Sequence, residues 1–158
     1  MLVDKLKLIY EPGDNIQLAD VQAHLINQSE YQLYELSDAY LKGETAKALQ
    51  VLRQIVRNRA EISLVLWIIT QDIRRLIQLQ QQTQLGTPFN LACQKLSIWT
   101  QKAQNYALAR QRLTTHQLNQ LLSRNQQLDI AIKSGTEHAP WQTIERMILD
   151  IGCATAAC

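Results

Sequence analysis

Few side chains in this sequence stand where chemistry would need them. The three histidines, His24, His116 and His138, and the three cysteines, Cys93, Cys153 and Cys158, are widely separated. None has the H-x3-H or C-x2-C partner that a zinc site draws on, so no metal site is expected. No G-x-x-x-x-G-K-[ST] run is present to cradle a phosphate with backbone amides. Cys93, following Leu91 and Ala92, reads as a small core residue. Asp72 stands three residues before Arg75, a spacing that predicts a local ion pair on one helix and not a catalytic acid. No catalytic residue and no cofactor are expected.

Binding chemistry is better represented. The net charge is only +2, but its distribution is uneven. Residues 1–72 sum to −3 and residues 129–158 to −2, while residues 73–128 carry seven basic side chains and no acid. The seven are Arg74, Arg75, Lys95, Lys102, Arg110, Arg112 and Arg124. A tract of one sign attracts phosphate or an acidic protein surface, unless its charges scatter over several solvated faces. Trp99 lies inside this tract between Lys95 and Lys102, with Tyr106 further on. An aromatic ring among cations can stack on a base while the cations hold phosphates. The other reading makes Trp99 a cover over the core beside a loop, and pattern alone favours it.

The elements that would position these residues are helices. Only five glycines and three prolines interrupt the chain, and 46% of it is hydrophobic. Its 21 glutamines alternate with regularly spaced Leu and Ile, as on solvated helix faces. Residues 61–82 predict a central helix. Leu64, Val65, Ile68, Ile69, Ile73, Leu76 and Ile77 share one broad face with Trp67 beside them. The first half is apolar nearly all round, so burial of that half, Trp67 included, is expected. Thr70, Gln71 and Asp72 end the apolar run well short of the ~20 residues a membrane span requires.

Before the central helix, Leu2, Leu6 and Ile9 have helical spacing, and residues 11–14 form a turn. A short helix is expected over 18–26 and a polar linker over 27–30. Residues 31–41 predict an amphipathic helix stopped by Gly43. Residues 44–58 predict another, with Ala48, Leu49, Leu52, Ile55 and Val56 inward. Asn58 and Glu61 have capping-box spacing ahead of the central helix. After a break at Leu85-Gly86-Thr87-Pro88 come helices over 89–96 and 101–112. Thr114 and Gln117 then form a second capping box, opening a long helix that ends near Gly135. Pro140 starts a last helix lined by Trp141, Ile144, Met147, Ile148 and Ile151. Neither a strand nor a repeat is predicted. With no signal-peptide pattern and no paired cysteines, a reduced cytoplasmic protein is expected, not one that spans a membrane.

Several of these segments, in this order, resemble the C-terminal part of the delta subunit of the bacterial DNA polymerase III clamp loader. They include Asp4-Lys5-Leu6-Lys7-Leu8 with the turn at Pro12-Gly13, and Ile16-x-Leu18-x-x-Val21. They continue with Asp38-Ala39-Tyr40-Leu41-Lys42-Gly43, Lys47-Ala48-Leu49-x-x-Leu52, the central helix to Leu79, and Ile98-Trp99. Leu118 to Leu122, Asp129-x-x-x-Lys133-x-Gly135 and Trp141-x-x-x-Glu145 complete the series. The resemblance implies an all-α, irregular helical bundle, the collar-like domain, over 29–158. A remnant of an AAA+-type lid domain would occupy 1–28, making the chain a fragment.

The resemblance further implies a non-catalytic assembly module, holding a clamp-opening subunit in a five-subunit ring beside the gamma or tau and delta-prime subunits. The sliding clamp would be reached only through an N-terminal domain outside this chain, and primer–template DNA would be a further partner. It implies nucleic-acid contacts at Trp99, Lys102, Arg110 and Arg112. Subunit contacts are expected at Arg74, Arg75 and Arg124, from their place in the acid-free tract. The loop 134–139 is longer than in enterobacterial members and carries no aromatic residue. A competing expectation is a stand-alone helical domain that binds single-stranded or primer–template junction DNA through residues 73–128.

Overall fold

The computed structural model describes the backbone of residues 18–153 and the side chains of residue 28 and residues 30–153. Expectations for residues 1–17 and 154–158 lie outside the described residues. Within them are seven helices and no strand. They are α1 (Leu18–Lys42), α2 (Thr45–Arg57), α3 (Ile62–Gln84), α4 (Phe89–Lys95), α5 (Thr100–Arg112), α6 (Thr115–Lys133) and α7 (Pro140–Gly152).

Helix α1 runs without a break through residues 27–30, where a linker was expected. Asn27-Gln28-Ser29-Glu30 is polar but holds neither Gly nor Pro, and polarity alone does not interrupt backbone hydrogen bonding. Gly43, at φ +83°, ends α1 as expected, because the left-handed conformation is open to a residue without Cβ. Asn58 does not cap α3. It closes the C-terminus of α2 and donates to Gln32 Oε1 at 3.1 Å, while Glu61 is the N-cap of α3 without a side-chain cap bond. The Thr114 box forms in full, with Gln117 N donating to Thr114 Oγ1 (3.1 Å) and Thr114 N to Gln117 Oε1 (2.9 Å).

Contacts between side chains set the helix directions. Ser37 and Tyr40 of α1 meet Asp72 of α3, and Lys102 of α5 meets Ser37 and Asp38. Further along, Arg112 of α5 meets Tyr40 and Leu41, so α1, α3 and α5 run in one direction. Helix α6 returns along α3, Thr115 beside Gln80 and Asn125 beside Leu66 and Thr70. Helices α2 and α7 pack on each other and on α1. The result is an irregular bundle with α1 and α3 at its centre.

The core takes Val65, Leu66, Ile68, Ile69, Ile73, Leu76 and Leu79 from α3, with Leu36, Tyr40, Leu41, Ile55, Leu118, Ile144 and Met147. Burial on α3 departs from the expected face: Leu66 and Leu79 are inside, whereas Leu64 and Trp67 are 41% and 51% exposed. The segment is apolar all round, but its neighbours cover only part of its circumference. On α2, Val51 is buried and Val56 exposed, a similar small rotation. Cys93 is buried as expected, and Trp141 packs half-buried against the core.

Candidate functional site

Asp72 is the one carboxylate among the buried polar residues described, at 1% exposure. Its Oδ2 accepts from Ser37 Oγ (2.6 Å) and from Tyr40 Oη, and its Oδ1 from Tyr106 Oη at 2.5 Å. Burial of this charge would be costly alone, and three hydroxyl donors offset that cost. The expected ion pair with Arg75 does not form. Arg75 Nη1 donates instead to Tyr106 Oη at 3.4 Å, one bond removed from the carboxylate. Burial, then the charge and hydrogen bond of Asp72, hold both tyrosine hydroxyls well above their ordinary range, so they remain donors.

Lys102 belongs to this network. Its ammonium donates to Ser37 Oγ and to Asp38 Oδ1 (3.0 Å), and it lies 5.8 Å from the centre of the Tyr106 ring. Asn105 Nδ2 donates to the same Asp38 oxygen at 2.9 Å. The Lys102 side chain is 18% exposed. Its charge is thus spent inside the protein.

Arg112 is spent likewise. Its Nη2 donates to the carbonyls of Leu41 (2.7 Å), Tyr40 (3.2 Å) and Ile151 (3.4 Å). These carbonyls end α1 and α7, where orphan acceptors and the negative end of the helix dipole favour a cation. A Cβ on Gly43 would stand 3.2 Å from Arg112 Nη1, so that glycine also admits the guanidinium. Arg110 donates to Thr83 Oγ1 at 3.0 Å and lies 5.2 Å from the Phe89 ring centre, tying α5 to α3 and α4.

Trp99 takes the other course. It is 82% exposed at the N-cap of α5, which rules out its reading as a core cover. Trp99 and Lys102 share the first turn of α5, but Arg110 and Arg112 lie in its last turn, roughly 12–20 Å away along the axis. The four residues therefore do not converge on one small ligand. Of the three arginines expected at subunit contacts, Arg74 is exposed, Arg75 is turned toward Tyr106, and Arg124 pairs with Asp150 at 2.5 Å.

Among the described residues no group of three or more His, Cys, Asp or Glu could hold a metal. No helix there is long and apolar enough to cross a membrane. The Asp72 cluster connects α1, α3 and α5 through hydrogen bonds between their side chains, and that cohesion is what its geometry supplies.

Sequence comparison bears on an architecture of this kind, a helical bundle held by a buried carboxylate and an arginine clamp. The family model of the DNA polymerase III delta subunit, C-terminal domain, matches residues 30–151. The chain belongs to that family. It is 22% identical over 147 residues to the DNA polymerase III subunit delta of Escherichia coli (strain K12), covering 93% of this chain and 42% of that protein. Its fold is that of the Bacillus subtilis DNA clamp loader delta protein, with a TM-score of 0.64 at 15% identity over 95% of this chain and 44% of the other. The delta domain described here spans less than half the length of each of these two proteins.

Sequence reasoning missed the Asp72 cluster because its members come from three helices. Tyr40 and Tyr106 on otherwise apolar faces, with one acid in the central helix, were the available signal. The double use of Arg112 left none.

Proposed function

We propose that this domain is the collar of a clamp-loader delta subunit, a non-catalytic module that holds the subunit in its ring during DNA replication. Residues 29–158 would form the collar and residues 1–28 the end of the lid domain. Membership of the delta C-terminal family carries this reading. The internal commitment of polar groups supports it, since the site contains bonds that fix helices together and no convergent reactive set. In this role the domain meets gamma or tau and delta-prime subunits, and the sliding clamp is reached through other parts of the full protein. Arg74 is exposed, and Arg124 is exposed as well in a surface pair with Asp150, so two members of the arginine set are open to a neighbouring subunit.

Size-exclusion chromatography of this chain mixed with gamma and delta-prime subunits tests the reading. A co-eluting complex at micromolar concentration is expected, and separate elution would refute the assignment. Trp99, exposed at the start of α5, is the residue we propose for contact with primer–template DNA. Clamp loading on primed DNA should fall several-fold in Trp99→Ala, and an unchanged rate would remove the stacking role. The stand-alone DNA-binding reading has less behind it, because Lys102 and Arg112 are engaged inside the fold.

A further inference from the structure

Helix α5 is held to the bundle differently from its neighbours. Helices α2 and α7 have the same length of 13 residues, and each buries four apolar side chains. These are Ala48, Val51, Leu52 and Ile55 on α2, and Ile144, Met147, Ile148 and Ile151 on α7. On α5 the buried residues are Asn105, Tyr106 and Ala109, so one ring and one methyl group are the apolar surface it commits fully to the core. Ala103 is only partly buried against that core, and Leu108 is 44% exposed.

Polar bonds take the place of the missing apolar surface. Lys102 and Asn105 reach Ser37 and Asp38 of α1, and Tyr106 reaches Asp72 of α3. Arg110 reaches Thr83 of α3, and Arg112 reaches carbonyls of α1 and α7. Every turn of α5 therefore has a polar tie. The two kinds of attachment respond differently to separation. Apolar surface loses its whole transfer free energy when water returns. A hydrogen-bonding group exchanges its protein partner for water, so each bond contributes little net free energy. A segment with few buried apolar contacts accordingly opens at a lower free energy than the whole domain. Once α5 lifts away, water reaches Asp72, and the carboxylate is solvated instead of stranded.

The ends of α5 are fixed by other means. Ile98, next to the N-cap Trp99, and the C-cap Leu113 are both buried. Trp99 and Leu113 themselves have extended backbones, at ψ 150° and 125°. The helix thus stands between two short extended joints, each beside an apolar anchor.

We propose that α5 opens as a unit of its own: residues 100–112 leave α1, α3 and α7 as one cooperative segment while Ile98 and Leu113 stay in the core. Opening returns Lys102, Arg110 and Arg112 to solvent together. The closed bundle conceals these three charges of the acid-free tract, and the open one presents them.

Native-state hydrogen exchange of the 158-residue chain, followed by mass spectrometry at rising urea concentrations below the unfolding transition, tests this opening. Amides bonded within α5 are expected to lose protection about 10-fold or more faster than those of α2, α3 and α7. Their exchange should depend little on urea, because the opening exposes little surface. Exchange of α5 at the rates and urea slopes of α3 would mean that it opens only with the whole domain, which overturns the proposal. Two variants separate the cases further. Ile55→Val, a mild change in the α2 core, should speed exchange in α2 and α7 several-fold and leave α5 unchanged, since their packing survives the opening. An equal rise in α5 overturns the proposal. Asp38→Ala removes the acceptor shared by Lys102 and Asn105, and α5 exchange should rise about 10-fold. An unchanged α5 rate in that variant shows that these bonds do not hold the helix, and overturns the proposal as well.

Discussion

Asp72 shows how much of this protein depends on single polar atoms. Its carboxylate is buried and accepts from Ser37, Tyr40 and Tyr106, so each donor has a charged partner. Tyr106→Phe should lower stability by about 1.5–3 kcal/mol, measured by urea denaturation, because a buried charged acceptor loses one bond. The same cluster sets a pH dependence. Both tyrosines titrate above their ordinary 10.0 in the folded chain, so the unfolded chain releases these protons first. Their contribution is fully present below about pH 10 and is lost as pH rises beyond it. The urea midpoint should therefore fall steeply above pH 10, and the Tyr40→Phe/Tyr106→Phe double variant should show a shallower fall. Arg112→Met removes a donor to three helix-end carbonyls, and a loss of about 2–3 kcal/mol is expected. Any DNA affinity of the chain should keep its salt dependence in that variant, since the guanidinium faces inward.

At the scale of helices, one closing device recurs. Gly43, Gly86 and Gly135 each take a positive φ just after a helix, and Arg59 and Ser97 do so without being glycine. In all five cases the amide of that residue and the next one bond back to the preceding turn. Ser97→Gly should therefore stabilise the chain by about 1 kcal/mol, read as a raised melting temperature. Gly43, by contrast, faces Arg112 as well as requiring φ +83°, so Gly43→Ala should cost about 1–2 kcal/mol. Gly152 shows a different constraint at the end of α7, where an added Cβ would stand 2.4 Å from Thr45 Cγ2. Helix α7 thus approaches the start of α2 closely because residue 152 has no side chain.

In the whole molecule, two surfaces of different chemistry lie on one bundle. The acid-free tract carries seven cations, but Lys102, Arg110, Arg112 and Arg124 all hold internal partners. The other surface, around Trp67, is apolar with mixed charge. Net charge along the sequence therefore overstates the field that the tract presents to a partner. Replacing Arg74 by Glu should disturb subunit association more than replacing Lys102, whose substitution should appear first as lost stability. Parallel measurements of association and urea midpoint on the two variants check this order.

The sequence alone determined most of the helices, several of their stops and the family, but not the continuity of α1 through residues 27–30. Apolar spacing at 3.6 residues, Gly43, Gly135, Pro140 and the Thr114–Gln117 box act within one element, so local physics specifies them. It did not determine which side of an all-apolar stretch meets water. Periodicity is silent where every residue is apolar, and Leu64 and Trp67 were left out only by the placement of α1, α4 and α6 around α3. Nor did it determine which cations are free. Lys102 reaches Asp38 across 64 positions and Arg112 reaches Leu41 across 71, pairings that exist only once the helices have packed. Tertiary structure made those choices, because a buried carbonyl or carboxylate takes whichever donor the fold brings within reach.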